Sequence, residues 1–255
     1  MAPVADVLYV FLAGAATMFA TGLGAVPVFA LGERAAALQP LLWGLASGLM
    51  GVASVVGLTL PALDDGTAGE VAAGLALGVA FLFAARAIID RRFGDRHDDP
   101  AAALGSRSLR DAALVFLVLF VHSLPEGLAI GTAYASDRAG LGLFVIVALG
   151  LHNVPEGTAA AIPMHAAGAS RSRQFWAAVA TSLPQPVGAV VAFLLVQEIS
   201  ALLPLSLAFA AGAMLALVAV EMVPKAWVAG GRLLATAGAA AGAAIMLGLS
   251  AWIGV

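Results

Sequence analysis

The sequence predicts an all-α integral membrane protein with eight transmembrane helices. Three observations predict it. Hydrophobic residues make up 62% of the 255 residues and charged ones only 11%, where a soluble domain carries about 25% charged. Eight apolar stretches are each long enough for the roughly 20 residues that a spanning helix needs. Short polar breaks separate them, and they hold most of the charge. The whole chain, residues 1–255, therefore reads as a single polytopic membrane domain.

The first stretch, Val4–Leu31, is apolar from the start. It lacks a basic leading region and carries Asp6, so it is expected to be a spanning helix and not a cleaved signal. Glu33-Arg34 ends it. The second, Leu38–Leu63, stops at Asp64-Asp65-Gly66, and the third, Gly69–Ile89, runs into the polar segment 91–108, the longest hydrophilic stretch, which is expected to be a mobile cytoplasmic loop. The fourth and fifth, Leu109–Ala135 and Gly140–His165, flank Asp137-Arg138. The sixth, Gln174–Gln197, follows Arg171–Arg173. The seventh, Pro204–Val228, and the eighth, Arg232–Ile253, part at Gly230-Gly231.

Basic residues predict the orientation. With the N-terminus outside, eleven of the twelve Lys and Arg fall on the cytoplasmic side and Arg138 alone falls outside. An even helix count then places both termini outside. The outer breaks hold Asp64, Asp65, Glu70, Asp137 and Glu198, an acidic face that would concentrate cations; ordinary solvated loops explain them equally well. Alanine richness, with eleven Arg against one Lys, points to a GC-rich bacterial source and hence to a bacterial inner membrane. Cysteine is absent, which excludes disulfides and thiolate ligands. A net charge of −3 with no basic block gives no reason to expect nucleic acid as a partner.

Proline sorts the helices. Pro27, Pro125, Pro155, Pro163, Pro184 and Pro186 fall within helices one, four, five and six. Helices two, three and eight instead carry the small-residue spacings Gly44/Gly48, Gly74/Gly78 and Gly238/Gly242, which allow close helix approach. Two bundles are expected. One is kinked and polar (helices 1, 4, 5 and 6); the other is a smooth scaffold or dimer surface (helices 2, 3, 7 and 8). Interrupted helices near the midplane recur at transport sites.

The polar groups concentrate in a motif written twice, His122-Ser123-Leu124-Pro125-Glu126-Gly127 and His152-Asn153-Val154-Pro155-Glu156-Gly157. A His and a Glu four residues apart share one helix face. Imidazole nitrogen and carboxylate oxygen on two facing helices are the donors of a divalent-metal site. A charged group at a helix centre costs roughly 2.5–3.5 kcal/mol on insertion scales, so the repetition calls for a function. Because helices four and five run in opposite directions, the copies can be related by a two-fold axis in the membrane plane, an inverted repeat. Pro125 and Pro155 leave the carbonyls of Val121 and Leu151 without their usual donors. His122, Glu126, His152 and Glu156 are therefore the expected metal ligands. Asn153 fits either a metal contact or a packing hydrogen bond. Gln185, between two prolines, fits either a pathway lining or a partner for freed carbonyls. Ser123 reads as back-bonding to its own helix. Glu221 reads as a relay or as a partner of Lys225, and His165 as a transient ligand at the cytoplasmic mouth or an interfacial histidine. His97, among Asp95, Asp98 and Asp99, is a weak candidate.

At these motifs the chain resembles the ZIP (Zrt/Irt-like) family of divalent metal transporters, most closely its bacterial GufA-type branch. Thr21-Gly22-Leu23-Gly24-Ala25-Val26-Pro27 and Glu221-Met222-Val223-Pro224 extend the resemblance along the chain. The resemblance implies import of Zn²⁺ or a related ion (Cd²⁺, Fe²⁺, Mn²⁺, Co²⁺) into the cytoplasm by alternating access. Helices 1, 4, 5 and 6 would move against a dimerising scaffold, so a homodimer is implied. The metal is cargo and not a resident cofactor. Two positions depart from the family pattern: Ser123 stands where Asn often follows the first His, and Gln185 where this branch usually has an acid. The second metal position, implied at Ser123, Asn153 and Gln185, would thus be a neutral cage, which holds a hard dication weakly. One strong site is expected.

The rival reading is an intramembrane zinc-dependent hydrolase, which needs a free general base beside the metal. The chain has no H-E-x-x-H, and both motif glutamates are taken up as ligands. A haem held by His122 and His152 would place a carboxylate one turn from each axial ligand. A metal-gated channel shares every feature of a carrier at this level. The chain is expected to be a transporter and not an enzyme.

Overall fold

The computed structural model describes residues 4–94, 104–228 and 231–255. His97 and its acidic neighbours, with the rest of segment 95–103, lie outside the described residues. Every described element is helical. In chain order the α-helices are α1 (Val4–Leu23), α2 (Ala25–Leu31), α3 (Gln39–Val52), α4 (Leu60–Asp65), α5 (Ala68–Ile89), α6 (Leu104–Ala135), α7 (Leu141–Ala166), α8 (Arg171–Thr181), α9 (Pro184–Glu198), α10 (Leu203–Leu217), α11 (Val223–Val228) and α12 (Arg232–Ile253). Among the described residues, seven helical stretches are long and apolar enough to cross a membrane. The first of these, Val4–Asp65, is 62 residues long because a 3₁₀ turn over Gly32–Leu38 joins the first two expected helices without a coil.

Interruptions fall where chemistry demands them. The first helix breaks at Gly24, three residues before Pro27. The sixth breaks at Ser182-Leu183, and Pro184 opens α9 at its first position, where its missing N–H costs nothing. Pro125, Pro155 and Pro163, by contrast, sit inside helices that run on unbroken. Two wider π turns appear mid-span. At Ala53–Thr59 the hydroxyl of Ser54 donates to the Met50 carbonyl (2.7 Å) and that of Thr59 to the Ser54 carbonyl (2.9 Å), which meets backbone groups loosened by the extra residue. The second π turn, Val218–Met222, holds Glu221. The segment expected to be a loop from 91 is helical up to Gly94, and α6 begins at Leu104.

Termini are capped locally. Thr67 and Glu70 form a reciprocal capping box at α5, and the Ser170 side chain caps α8. On the face where α4 ends and α7 begins, Arg138 donates to both oxygens of Asp65 (2.9 Å each) and to Asp64 (3.1 Å). Two of the five acids of the expected acidic face are therefore already paired.

Packing follows the small residues. α3 lies along α12 and α5 along α10. A methyl group at Gly48 would meet the Ala239 carbonyl oxygen at 2.1 Å, and one at Gly78 the Phe209 carbonyl oxygen at 2.1 Å. The glycine stripes expected on a scaffold or dimer surface thus face partners inside the same chain. α6 packs along α9, and α7 along both α1 and α6. The core holds Phe144, Phe193, Leu141, Leu149, Leu207 and Met246. Large apolar side chains including Leu77, Phe83, Leu247 and Trp252 point outward, as lipid contact requires.

Candidate metal centre

Glycine sets the distances between the helices that carry the repeated motif. A methyl group on Gly157 would sit 1.7 Å from the Thr21 carbonyl oxygen of α1, and one on Gly127 would sit 2.4 Å from the Gln185 carbonyl oxygen of α9. The two motif glycines therefore play matching parts, one seating α7 on α1 and the other α6 on α9. With the backbones this close, the polar side chains one residue earlier meet in a space walled by helices.

Glu126, His152 and Glu156 meet there. They are 0%, 1% and 2% exposed, and one donor atom from each lies within 4.8 Å of the others. His152 Nδ1 is 3.8 Å from Glu126 Oε1 and 3.9 Å from Glu156 Oε2. Both distances are too long for hydrogen bonds. They suit an ion: two donors each about 2.1 Å from one metal are at most about 4.2 Å apart.

The hydrogen-bond accounting points the same way. Among the described residues, seven buried side-chain N or O atoms lack a hydrogen-bond partner. Five belong to the three-residue group and its neighbour Asn153: Glu126 Oε1, both ring nitrogens of His152, Asn153 Oδ1 and Glu156 Oε2; a sixth, His122 Nδ1, lies one turn from Glu126 on α6. An unsatisfied buried group costs about 1–3 kcal/mol, more when charged, so five in one place form a donor set suited to a cation.

The neutral residues hold the donors in position. Gln185 Nε2 donates to Glu126 Oε2 at 2.5 Å, fixing the carboxylate so that its other oxygen faces His152. Gln185 Oε1 in turn accepts from the Thr17 hydroxyl (2.8 Å) and from Asn153 Nδ2 (3.1 Å). Asn153 Nδ2 also donates to the Thr17 carbonyl at 2.7 Å, which leaves Asn153 Oδ1 free. Ser123 donates to the Leu119 carbonyl of its own helix at 3.1 Å. Thr21 and Ser182 share a hydrogen bond of 2.7 Å on the flank of the same network.

The remaining sequence candidates lie elsewhere. His122 is buried but stands outside the three-residue group, one turn from Glu126 on α6. Glu221 accepts from Lys225 Nζ at 2.8 Å and is 3.6 Å from Arg86. His165, half-buried, faces Gln174 at 3.4 Å and joins no donor group. Sequence reasoning missed Thr17, whose hydroxyl and carbonyl both serve the Gln185–Asn153 pair. The signal was present, since Thr17 and Thr21 form a polar pair four residues apart in the otherwise apolar run 10–23. It also missed Arg86 as a partner of Glu221.

Comparison with known proteins gives consistent results. The family model described as ZIP zinc transporter matches residues 90–250. The chain is 34% identical over 228 residues to zinc transporter GufA of Myxococcus xanthus, covering 86% of this chain and 89% of that protein. It is 35% identical over 263 residues to zinc transporter ZIPB of Bordetella bronchiseptica, covering 96% of this chain and 82% of that protein. It is also 33% identical over 156 residues to human zinc transporter ZIP11, covering 59% of this chain and 46% of that protein.

Proposed function

This chain belongs to the ZIP family of zinc transporters, and from that premise we propose how its own residues move the metal. It is a multi-pass membrane transporter of divalent transition metal, not an enzyme, and zinc is its cargo and not a cofactor. The observation that carries the reading is the dry group of Glu126, His152 and Glu156 with its unpaired donor atoms.

In this reading Glu126, His152 and Glu156 are the principal ligands, and Asn153 Oδ1 or water completes the shell. Gln185, Thr17 and Ser123 orient without binding. A neutral second position formed by Ser123, Asn153 and Gln185 holds metal weakly or not at all. His122, one turn along α6 from Glu126, receives the ion on its way out, with Glu221 and His165 farther along the pathway. Mixed imidazole and carboxylate donors suit Zn²⁺ and also Cd²⁺, Fe²⁺, Mn²⁺ and Co²⁺.

Eight crossings are the finer topology. A helical run of 62 residues is about 93 Å long at 1.5 Å per residue, far beyond one hydrocarbon core of about 30 Å. Val4–Asp65 therefore crosses twice and turns at the 3₁₀ segment. Both termini then face the outside of a bacterial inner membrane, and segment 91–108 faces the cytoplasm. The mobile bundle comprises α1–α2, α6, α7 and α8–α9; the scaffold comprises α3–α4, α5, α10–α11 and α12. The tight α3–α12 and α5–α10 seams support that division. Import proceeds by alternating access of the midplane site as one bundle moves against the other. A homodimer, implied by the family, would use the outward faces of α5 and α12.

Equilibrium dialysis of detergent-purified protein against ⁶⁵Zn tests the ligand assignment. One tightly held zinc per chain, lost in His152→Ala and in Glu126→Gln/Glu156→Gln, is expected. Undiminished binding in both variants would place the site elsewhere.

A further inference from the structure

Glu221 is a buried acid that the three-residue centre leaves unused. It is 6% exposed, in the π turn Val218–Met222. It lines a cavity of about 540 Å³ together with Trp43, Arg86, Val115, Ala159 and Lys225. Ala159, Ile162 and Pro163 in its wall belong to α7 and follow Glu156 within two turns, so the cavity adjoins the metal centre. Under the transport reading, on which this inference rests, metal released toward the cytoplasm passes through it.

A carboxylate in that position would make a tight resting place for a departing dication. It is not left unpaired. Lys225 Nζ donates to Glu221 Oε2 at 2.8 Å, and Arg86 approaches Oε1 at 3.6 Å. Arg86 is divided, because Asp90 also lies 3.8 Å from it. Lys225 is the closer cation, and it has a second partner. Its ammonium lies 5.1 Å from the centre of the Trp43 ring, and its side chain is 42% exposed. Releasing Glu221 would thus leave the ammonium on an indole face and in water, not stranded in an apolar wall.

We propose that Lys225 is a tethered counter-cation that occupies Glu221 between transport events and yields it, by withdrawing onto Trp43, as each metal ion passes. Its role is to stop Glu221 from holding metal at the cytoplasmic mouth. An ammonium has no lone pair to offer, so Lys225 acts by occupancy and not as a ligand. It is a positioning residue of the release step.

Removing the tether uncovers the trap. Lys225→Met is expected to bind one more zinc per chain than wild type in dialysis. In proteoliposome uptake its apparent KM and its maximal rate should both fall about tenfold, the scale of one charge-assisted hydrogen bond. Lys225→Met/Glu221→Gln should lose the extra zinc, and Lys225→Arg should keep wild-type stoichiometry and kinetics. Wild-type stoichiometry and kinetics in Lys225→Met would overturn the proposal. So would an extra zinc that persists in the double variant, since that ion would then not be held by Glu221. A wild type that binds zinc but carries none would instead sink the transport reading, while the stoichiometry comparison would still decide the role of Lys225.

Discussion

His152 is the residue where the centre's chemistry concentrates, because neither ring nitrogen has a protein partner and one lies between two carboxylates. His152→Ala should therefore abolish metal uptake without unfolding the chain, read by tracer flux beside a size-exclusion profile. Gln185 is informative in the opposite direction. Its amide nitrogen donates to one oxygen of Glu126. In Gln185→Glu two carboxylates would face each other, and a second dication is the natural bridge, so metal stoichiometry should rise by one per chain; an unchanged count would contradict the account of a neutral second position. The motif residues were legible in the sequence because a spacing of four fixes a shared helix face whatever the surroundings. Their division was not. His122 stands apart from Glu126, His152 and Glu156 because contact across helices depends on packing register, which local spacing does not encode. Thr17 escaped for the same reason, as its role exists only once α1 lies against α7 and α9.

At the scale of elements, two contacts hold the centre closed: α7 on α1 at Gly157 and α6 on α9 at Gly127. A Cβ at Gly157 would fall 1.7 Å from a backbone oxygen, which cannot rotate away. Gly157→Ala should cost about 1–3 kcal/mol or more and lower the thermal midpoint in detergent, whereas Gly150→Ala, with nothing within 4 Å, should leave it unchanged. Equal midpoints would remove the close-approach argument. That the chain is helical, with several stretches long and apolar enough to cross a membrane, could be read from apolar length and charge alone. The interruptions could be read only in part. Proline marks sites where a helix is allowed to break, yet Pro125 and Pro155 lie inside continuous helices, while the turn at Ala53–Thr59 forms with no proline in it. Neighbouring helices decide which of these sites opens, because they supply or withhold partners for the freed backbone groups. The glycine stripes were legible as contact surfaces, but whether they met another chain or this one was not.

For the whole molecule, orientation and proton competition are the testable properties. The chain contains no cysteine, so single cysteines report without background. With both termini outside, Asp137→Cys should react with a membrane-impermeant thiol reagent in intact cells and Glu33→Cys should not; the reverse pattern would invert the topology. Metal must displace protons from imidazole and carboxylate donors, so uptake should fall as pH drops from about 7 to 5, and a flat profile would argue against these donors. The most direct measurement is ⁶⁵Zn flux into proteoliposomes, with wild type beside Glu126→Gln/Glu156→Gln. Saturable uptake in wild type, absent from the variant, is the predicted result. Equal uptake by both, or none by a well-folded wild type that still binds zinc, would contradict transport through the paired motifs.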